Sequence, residues 1–198
     1  MMKNIFKSNL LFTLVFLVGS AASNAQTNFK IGVNPSNKMV LSGTSTLHDW
    51  TMTTKTFTGN ALFVLKPGND ISGLQSLDFS LPVLQLKGDK KALNKNAYKA
   101  LKTDQYKNIT FKMESAKVVG QKDFKFELRA TGSLTISGVT REVTIDLYCM
   151  PNKNGSITCT GRYKIKMSDY KVEPPSFMGG MMTTGDDLTL DFTMVFER

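Results

Sequence analysis

Apolar and polar residues alternate almost without interruption from Phe124 to Met167. Phe124, Phe126, Leu128, Ala130, Gly132, Leu134 and Ile136 share one parity, while Lys125, Glu127, Arg129, Thr131, Ser133 and Thr135 hold the other. That is the period of a β-strand with one buried face. After Ser137-Gly138 the alternation resumes as Val139, Val143, Ile145, Leu147 and Cys149, and after Asn152-Lys153-Asn154-Gly155 as Ile157, Cys159, Tyr163, Ile165 and Met167. Three antiparallel strands joined by short turns are predicted. An amphipathic sheet of this length must curl over its apolar face, so the fold class is all-β and the question becomes what fills the interior.

The same reading extends to both ends. Phe29-Ile31-Val33 predicts a short strand that turns at Pro35-Ser36-Asn37 into Met39–Ser45, an opening hairpin. Phe57–Leu65 alternates until Pro67-Gly68-Asn69-Asp70. Leu77, Phe79, Leu81 and Val83 then lie on odd positions and Leu84 and Leu86 on even ones, a change of face that predicts a bulge or edge near Pro82. Between residues 89 and 102 the period becomes helical: Asp89 is a candidate cap, Leu93, Ala97, Ala100 and Leu101 form an apolar stripe, and Lys90, Lys91, Lys95 and Lys99 are left for solvent. Ile109, Phe111 and Met113 restart the sheet, and Leu188, Leu190, Phe192, Met194 and Phe196 give the last strand. Before it, residues 171–187 (KVEPPSFMGGMMTTGDD) read as a Met/Pro/Gly-rich loop too apolar to be simply solvated. It suits either a plug in one end of the barrel or a mobile lip resting on an apolar ligand.

The N-terminus has a different character. Lys3 and Lys7 precede the apolar run Leu10–Val18 and the small residues ending Ser23-Asn24-Ala25, which together predict a signal peptide over residues 1–25 and one domain over 26–198. A periplasmic or secreted location is expected. Loss of Lys3 and Lys7 lowers the net charge from +9 to +7. The aromatic residues share strand parity with other apolar residues instead of interleaving with Lys and Arg, which argues against nucleic acid. A solvated basic surface, or weak contact with an anionic membrane surface, is the simpler reading; nothing in the pattern fixes an oligomeric state. Cys149 and Cys159 are centred on residue 154, inside the turn, so a symmetric hairpin sets them opposite each other. They are either a cross-strand disulfide, which export favours, or two buried thiols.

Residues able to do chemistry are few. His48 is the single histidine. Paired with Asp49 it would be a base and its orienter, but neighbours on an extended strand point to opposite faces. His48 with Met178, Met181 and Met182 offers soft donors suited to copper(I), although three methionines beside a phenylalanine are more often packing. No nucleophile elbow, phosphate loop or HExxH sequence occurs, so neither catalysis, a metal nor a cofactor is expected.

The segment Gly132-Ser-Leu-Thr-Ile-Ser-Gly-Val-Thr-Arg-Glu-Val-Thr-Ile145 resembles the G-x-L-T-I-x-G-V-T-[RK]-x-V signature of the YceI-like proteins. Tyr106–Phe111 resembles that family's Y-P-x-I-x-F segment, with Lys107 in place of the usual proline, and Gly43–Trp50 and Ser168-Asp169-Tyr170 fit its short-chain branch. The resemblance implies an extended eight-stranded antiparallel lipocalin-like barrel whose apolar cavity holds a polyisoprenoid, isoprenoid quinone or fatty-acyl chain. The expected function is thus an exported, non-catalytic carrier of an amphiphilic lipid. A filled barrel acting through its surface as an envelope interaction or stress protein is the alternative. Candidate pocket residues are Trp50, Phe63, Phe79, Leu81, Tyr98, Leu101, Phe111, Phe126, Leu128, Phe177, Met178 and Met181.

Overall fold

The computed structural model describes residues 25–177 and 181–198, so the sequence expectations for residues 1–24 lie outside the described residues. Among the described residues, eleven strands and one α-helix follow one another: β1 (Ala25–Ile31), β2 (Lys38–Ser45), β3 (Trp50–Thr54), β4 (Thr58–Leu65), β5 (Ile71–Pro82), α1 (Lys91–Ala100), β6 (Asn108–Lys122), β7 (Lys125–Ile136), β8 (Val139–Pro151), β9 (Ile157–Lys166), β10 (Ser176–Phe177) and β11 (Met182–Glu197). All strand pairs are antiparallel. The hydrogen-bonded order β1-β4-β5-β6-β7-β8-β9-β11 closes on itself where β1 meets β11, giving an eight-stranded barrel.

The three strands with the strongest alternation form as their pattern dictates. β7 and β8 turn at Ser137 and Gly138, both at positive φ (49° and 77°), the two-residue geometry that matches strand twist. Cys149 lies directly opposite Cys159, and their Sγ atoms are bonded at 2.00 Å. Along β7 the residues Phe126, Leu128, Ala130, Leu134 and Ile136 are all buried, but Phe124 is 75% exposed. It belongs to the β6–β7 turn, next to Asp123 at φ 54°, and so falls outside the pleat that buries the rest.

Four further local expectations are corrected. β1 and β2 are not paired: β1 pairs with β4 along its length and touches β11 only through Lys30 and Ile31, while β2 pairs with β11. Val33 is fully exposed in the turn between them. The change of face after Pro82 is a 3-10 turn over Val83–Gln85, which buries Val83 and Leu86 and leaves Leu84 outside. The cap of α1 is Lys90, with no side-chain hydrogen bond, so Asp89 does not serve as its cap. The segment 171–187 is not all loop, because Ser176 and Phe177 pair with Thr183 and Met182, and β11 starts at Met182, with a bulge between Thr184 and Leu188.

β11 hands its edge from one strand to another. Near its end, Phe196 and Glu197 pair with β1, whereas from Thr193 back to Thr184 the partner is β2. At the junction the Val195 N–H donates to Asn37 Oδ1 (2.8 Å), and Asn37 Nδ2 donates to the Gly32 carbonyl (2.8 Å). Asn37 is 1% exposed and thereby satisfies backbone groups that neither strand reaches. β2 carries β3 on its other edge, and Thr53 of β3 exchanges two backbone hydrogen bonds with Lys87 (2.7 and 2.9 Å). One end of the barrel is therefore closed by β1 alone and the other by the pair β2–β3, which makes the second end wider.

Replacing Asn37 by Ala leaves the buried Val195 N–H and the half-buried Gly32 carbonyl without their partner. Denaturant unfolding is expected to show a loss of about 3 kcal/mol, with β1 and β2 amides near the junction losing hydrogen-exchange protection first.

Candidate functional site

The narrow end is filled. Phe63 packs edge-on against Phe29 (centroids 5.4 Å apart) and Phe196 (5.7 Å), with the Arg198 guanidinium 5.6 Å over the Phe29 ring. Phe126 lies opposite Cys149 in the pairing of β7 with β8, so the disulfide sits in this same packed layer. Leu128, Cys149, Ile157 and Cys159 are each 1% exposed or less. Inward aromatic and branched side chains suffice to fill an eight-stranded ring.

Above this layer the interior is open. A cavity of about 780 Å³ is lined by Leu77, Phe79 and Leu81 of β5, Ile109 and Phe111 of β6, Ala130, Leu134 and Ile136 of β7, and Ile145 and Leu147 of β8. Tyr163 and Ile165 of β9, Leu188, Leu190, Phe192 and Met194 of β11, and Met39, Leu41, Trp50 and Met52 of the β2–β3 pair complete the wall. From Leu188 to Met194 the lining runs for roughly 20 Å of strand, so the cavity is elongated. Helix α1 covers part of it with Leu93, Ala97 and Ala100, the stripe its sequence period puts on one face. Two glycines let rings lie flat against the wall: a Cβ at Gly43 would strike the Trp50 indole, and one at Gly161 the Phe192 ring, each directly cross-strand.

Lining residues that are also exposed, among them Leu47, His48, Asp49, Asp89, Lys90 and Thr183, mark the mouth. The polar groups of the site gather here, and the deeper wall is apolar apart from tyrosine hydroxyls. His48 Nδ1 faces the Asp49 backbone carbonyl at 3.0 Å and not its carboxylate, so the pair lacks the base-orienter geometry. Thr46 and Thr183 exchange two hydrogen bonds that tie the His48 loop to the start of β11. Nearby, Asp186 accepts from Ser168 N–H and Oγ–H, which holds its carboxyl below the usual range and fixes the turn carrying Tyr170 into the cavity. Burial pushes the Tyr170 phenol up to about 12, with Tyr163 and Asp169 adding to the effect and Arg141 opposing it. No cluster of His, Cys, Asp and Glu able to hold a metal occurs among the described residues.

Of the residues singled out from sequence, Trp50, Phe79, Leu81, Leu101 and Phe111 line the cavity. Phe63, Phe126 and Leu128 point inward but belong to the packed layer at the narrow end. Tyr98 follows Ala97 by one position, which rotates it off the cavity face, and its hydroxyl donates toward the Leu84 and Leu86 carbonyls (3.1 and 3.0 Å). Met181 is 76% exposed, and Met182 takes the lining position in its place. Phe177 pairs through its backbone with Met182; its side chain and Met178 lie outside the described residues. Missed from sequence were Leu47, Met52, Ala97, Tyr163, Ile165, Leu190 and Met194. Parity marked the β9 and β11 residues as inward, but Leu47 and Met52 line the site only because β2–β3 replaces β1 at the wide end.

Two outcomes follow from this division. Phe63→Ala should cost about 4 kcal/mol in urea unfolding, because it empties a packed layer, whereas Phe79→Ala, which enlarges an existing space, should cost less than half as much. For Tyr170 the folded pKa lies above the ordinary 10.0, so the unfolded chain releases this proton first. Its contribution to stability is complete below pH 10 and is lost as pH rises toward 12; ultraviolet titration of Tyr170→Phe should lack the highest step seen in the parent protein.

The fold has solved relatives. BcnA of Burkholderia cenocepacia superposes with a TM-score of 0.60 at 19% identity, covering 79% of this chain and 95% of its own. A polyisoprenoid-binding domain from Saccharophagus degradans, implicated in plant cell wall breakdown, gives 0.61 at 12% identity, covering 87% and 99%. The Campylobacter jejuni YceI protein gives 0.57 at 18% identity, covering 98% and 99%. No curated protein sequence matches the chain. A family model described as a YceI-like domain matches residues 23–196. With that match spanning nearly the whole sequence, and a barrel of the same architecture beneath it, the chain belongs to the YceI-like family.

Proposed function

We propose that this protein is a non-catalytic carrier that holds one amphiphilic long-chain lipid, a polyisoprenoid, isoprenoid quinone or fatty-acyl chain, with its tail in the barrel and its head at the rim. The observation that carries the reading is the apolar, elongated cavity of about 780 Å³, open at one end and floored by packed side chains. Its size falls in the range of about 300–1,000 Å³ usual for small-molecule sites. An alkyl chain drawn from water into such walls gains about 0.8 kcal/mol per buried methylene, so tight binding needs few polar contacts. The polar groups at the mouth, from His48 to Lys90 and Thr183, suit a head group that stays hydrated. The fold shared with a polyisoprenoid-binding domain supports the same ligand class. Export to the periplasm or beyond is part of the proposal; the basic, apolar and small-residue sequence of the first 25 positions and the Cys149–Cys159 disulfide support it.

Native mass spectrometry of protein purified from its own cells is expected to show one lipid per chain, released and identifiable after denaturation. Ala97→Trp, which sets an indole into the cavity from α1, should fold with a normal thermal transition and lose the adduct. A bare mass that stays unchanged after incubation with quinones and fatty acids would overturn the carrier reading in favour of a barrel acting through its surface.

A further inference from the structure

The charge of the chain is unevenly placed. Between residues 87 and 107 seven lysines stand against Asp89 and Asp104, a surplus of five out of nine for the whole sequence. This segment contains α1, whose apolar face covers the cavity while Lys91, Lys95 and Lys99 are exposed on the other side, and Lys90 stands at the mouth. The same end of the molecule exposes apolar side chains. Leu47 is 64% exposed at the rim, Met181 76% exposed beside the lining residue Met182, and Leu84 53% exposed in the turn to which Tyr98 fastens α1. Single exposed apolar residues are ordinary, but here Leu47 and Met181 stand at or beside the lining of one opening and Leu84 lies in the turn fastened to α1, all next to a concentrated basic surface.

We infer that the open end of the barrel is a docking surface for an anionic phospholipid bilayer, with α1 lying against the headgroups and Leu47, Leu84 and Met181 entering the interface. The inference rests on the carrier function proposed above, because a ligand drawn from a membrane must cross the gap between bilayer and cavity. Docking by this end brings the mouth onto the source of the ligand, and the acyl chain then passes from one apolar medium to another without crossing water. The chemistry of the surface favours lipid over nucleic acid. The single aromatic residue of α1, Tyr98, is half-buried and its hydroxyl is tied to the Leu84 and Leu86 carbonyls, so its ring is held against that turn and does not stand free for base stacking. Basic side chains near an anionic leaflet attract it additively and within a Debye length, so the contact must weaken with salt.

The test is flotation of protein purified from its own cells with vesicles of phosphatidylcholine alone and of equal parts phosphatidylcholine and phosphatidylglycerol. Binding is expected to the anionic vesicles only, and to fall as salt is raised. The triple variant K91Q/K95Q/K99Q should bind them about 100-fold more weakly. Its uptake of an isoprenoid quinone from detergent solution should match the parent, because none of the three side chains lines the cavity. The inference is overturned if the parent protein does not float with anionic vesicles, or if the triple variant floats as well as the parent. Either result leaves the carrier reading intact when lipid still copurifies, so the two ideas fail separately.

Discussion

Everything distinctive in this barrel depends on one strand having two partners on the same edge. β11 gives the end of that edge to β1 and the rest to β2, and the buried Asn37 amide bridges the step by taking the Val195 N–H and holding the Gly32 carbonyl. A β-sheet cannot change partners in mid-strand without leaving backbone groups unpaired. A side chain with both a donor and an acceptor, placed at the tip of the turn entering β2, resolves this within one residue. The wall then has one strand at one end and two at the other.

That difference in width decides what the interior is. At the β1 end the inward side chains meet across the axis, and Phe29, Phe63 and Phe196 form a packed aromatic group with the disulfide layer beside it. At the β2–β3 end equivalent side chains cannot reach one another, and the space between them is the cavity. Stability and binding are therefore divided along the axis. The cross-strand bond closes a short loop and contributes roughly 2–3 kcal/mol at the packed end, while the outer-wall pairs Arg129–Asp146 (2.7 Å) and Arg162–Asp191 (2.6 Å) are solvent-facing and add little.

The sequence expressed inside and outside clearly, and position along the axis hardly at all. Phe63 and Phe79 both lie on strands with clear alternation and both point inward, yet one is packed into the floor and the other faces the open space. Nothing in their local pattern separates them, because the difference comes from which strand closes the ring at each height. The Cys149–Cys159 register was readable since both residues flank one turn. The partners of β1 and β2 were not: Pro35-Ser36-Asn37 is a sound turn signal, but β1 pairs chiefly with β4 and meets β11 only through Lys30 and Ile31, while β2 takes the rest of the β11 edge. Tyr98 and Met181 were misplaced for a different reason. A helix turns by 100° per residue, so a one-position shift takes a side chain off the cavity face, and a short β10–β11 pairing reverses which methionine turns inward.

The handover on β11 also fixes when the protein can become a barrel. Both strands that precede the rest of the wall, β1 and β2, find their closing partner in the sixteen residues of β11, Met182–Glu197. Until those residues are present, the middle hairpins form a curled sheet whose apolar face is open to water and whose two free edges are unpaired, a state prone to join with other chains. Ring closure is thus the most non-local pairing in the fold, and the loop it must close makes it slow. A chain lacking its C-terminal strand loses far more than one stave, since it forfeits the narrow end, the wide end and the cavity between them together.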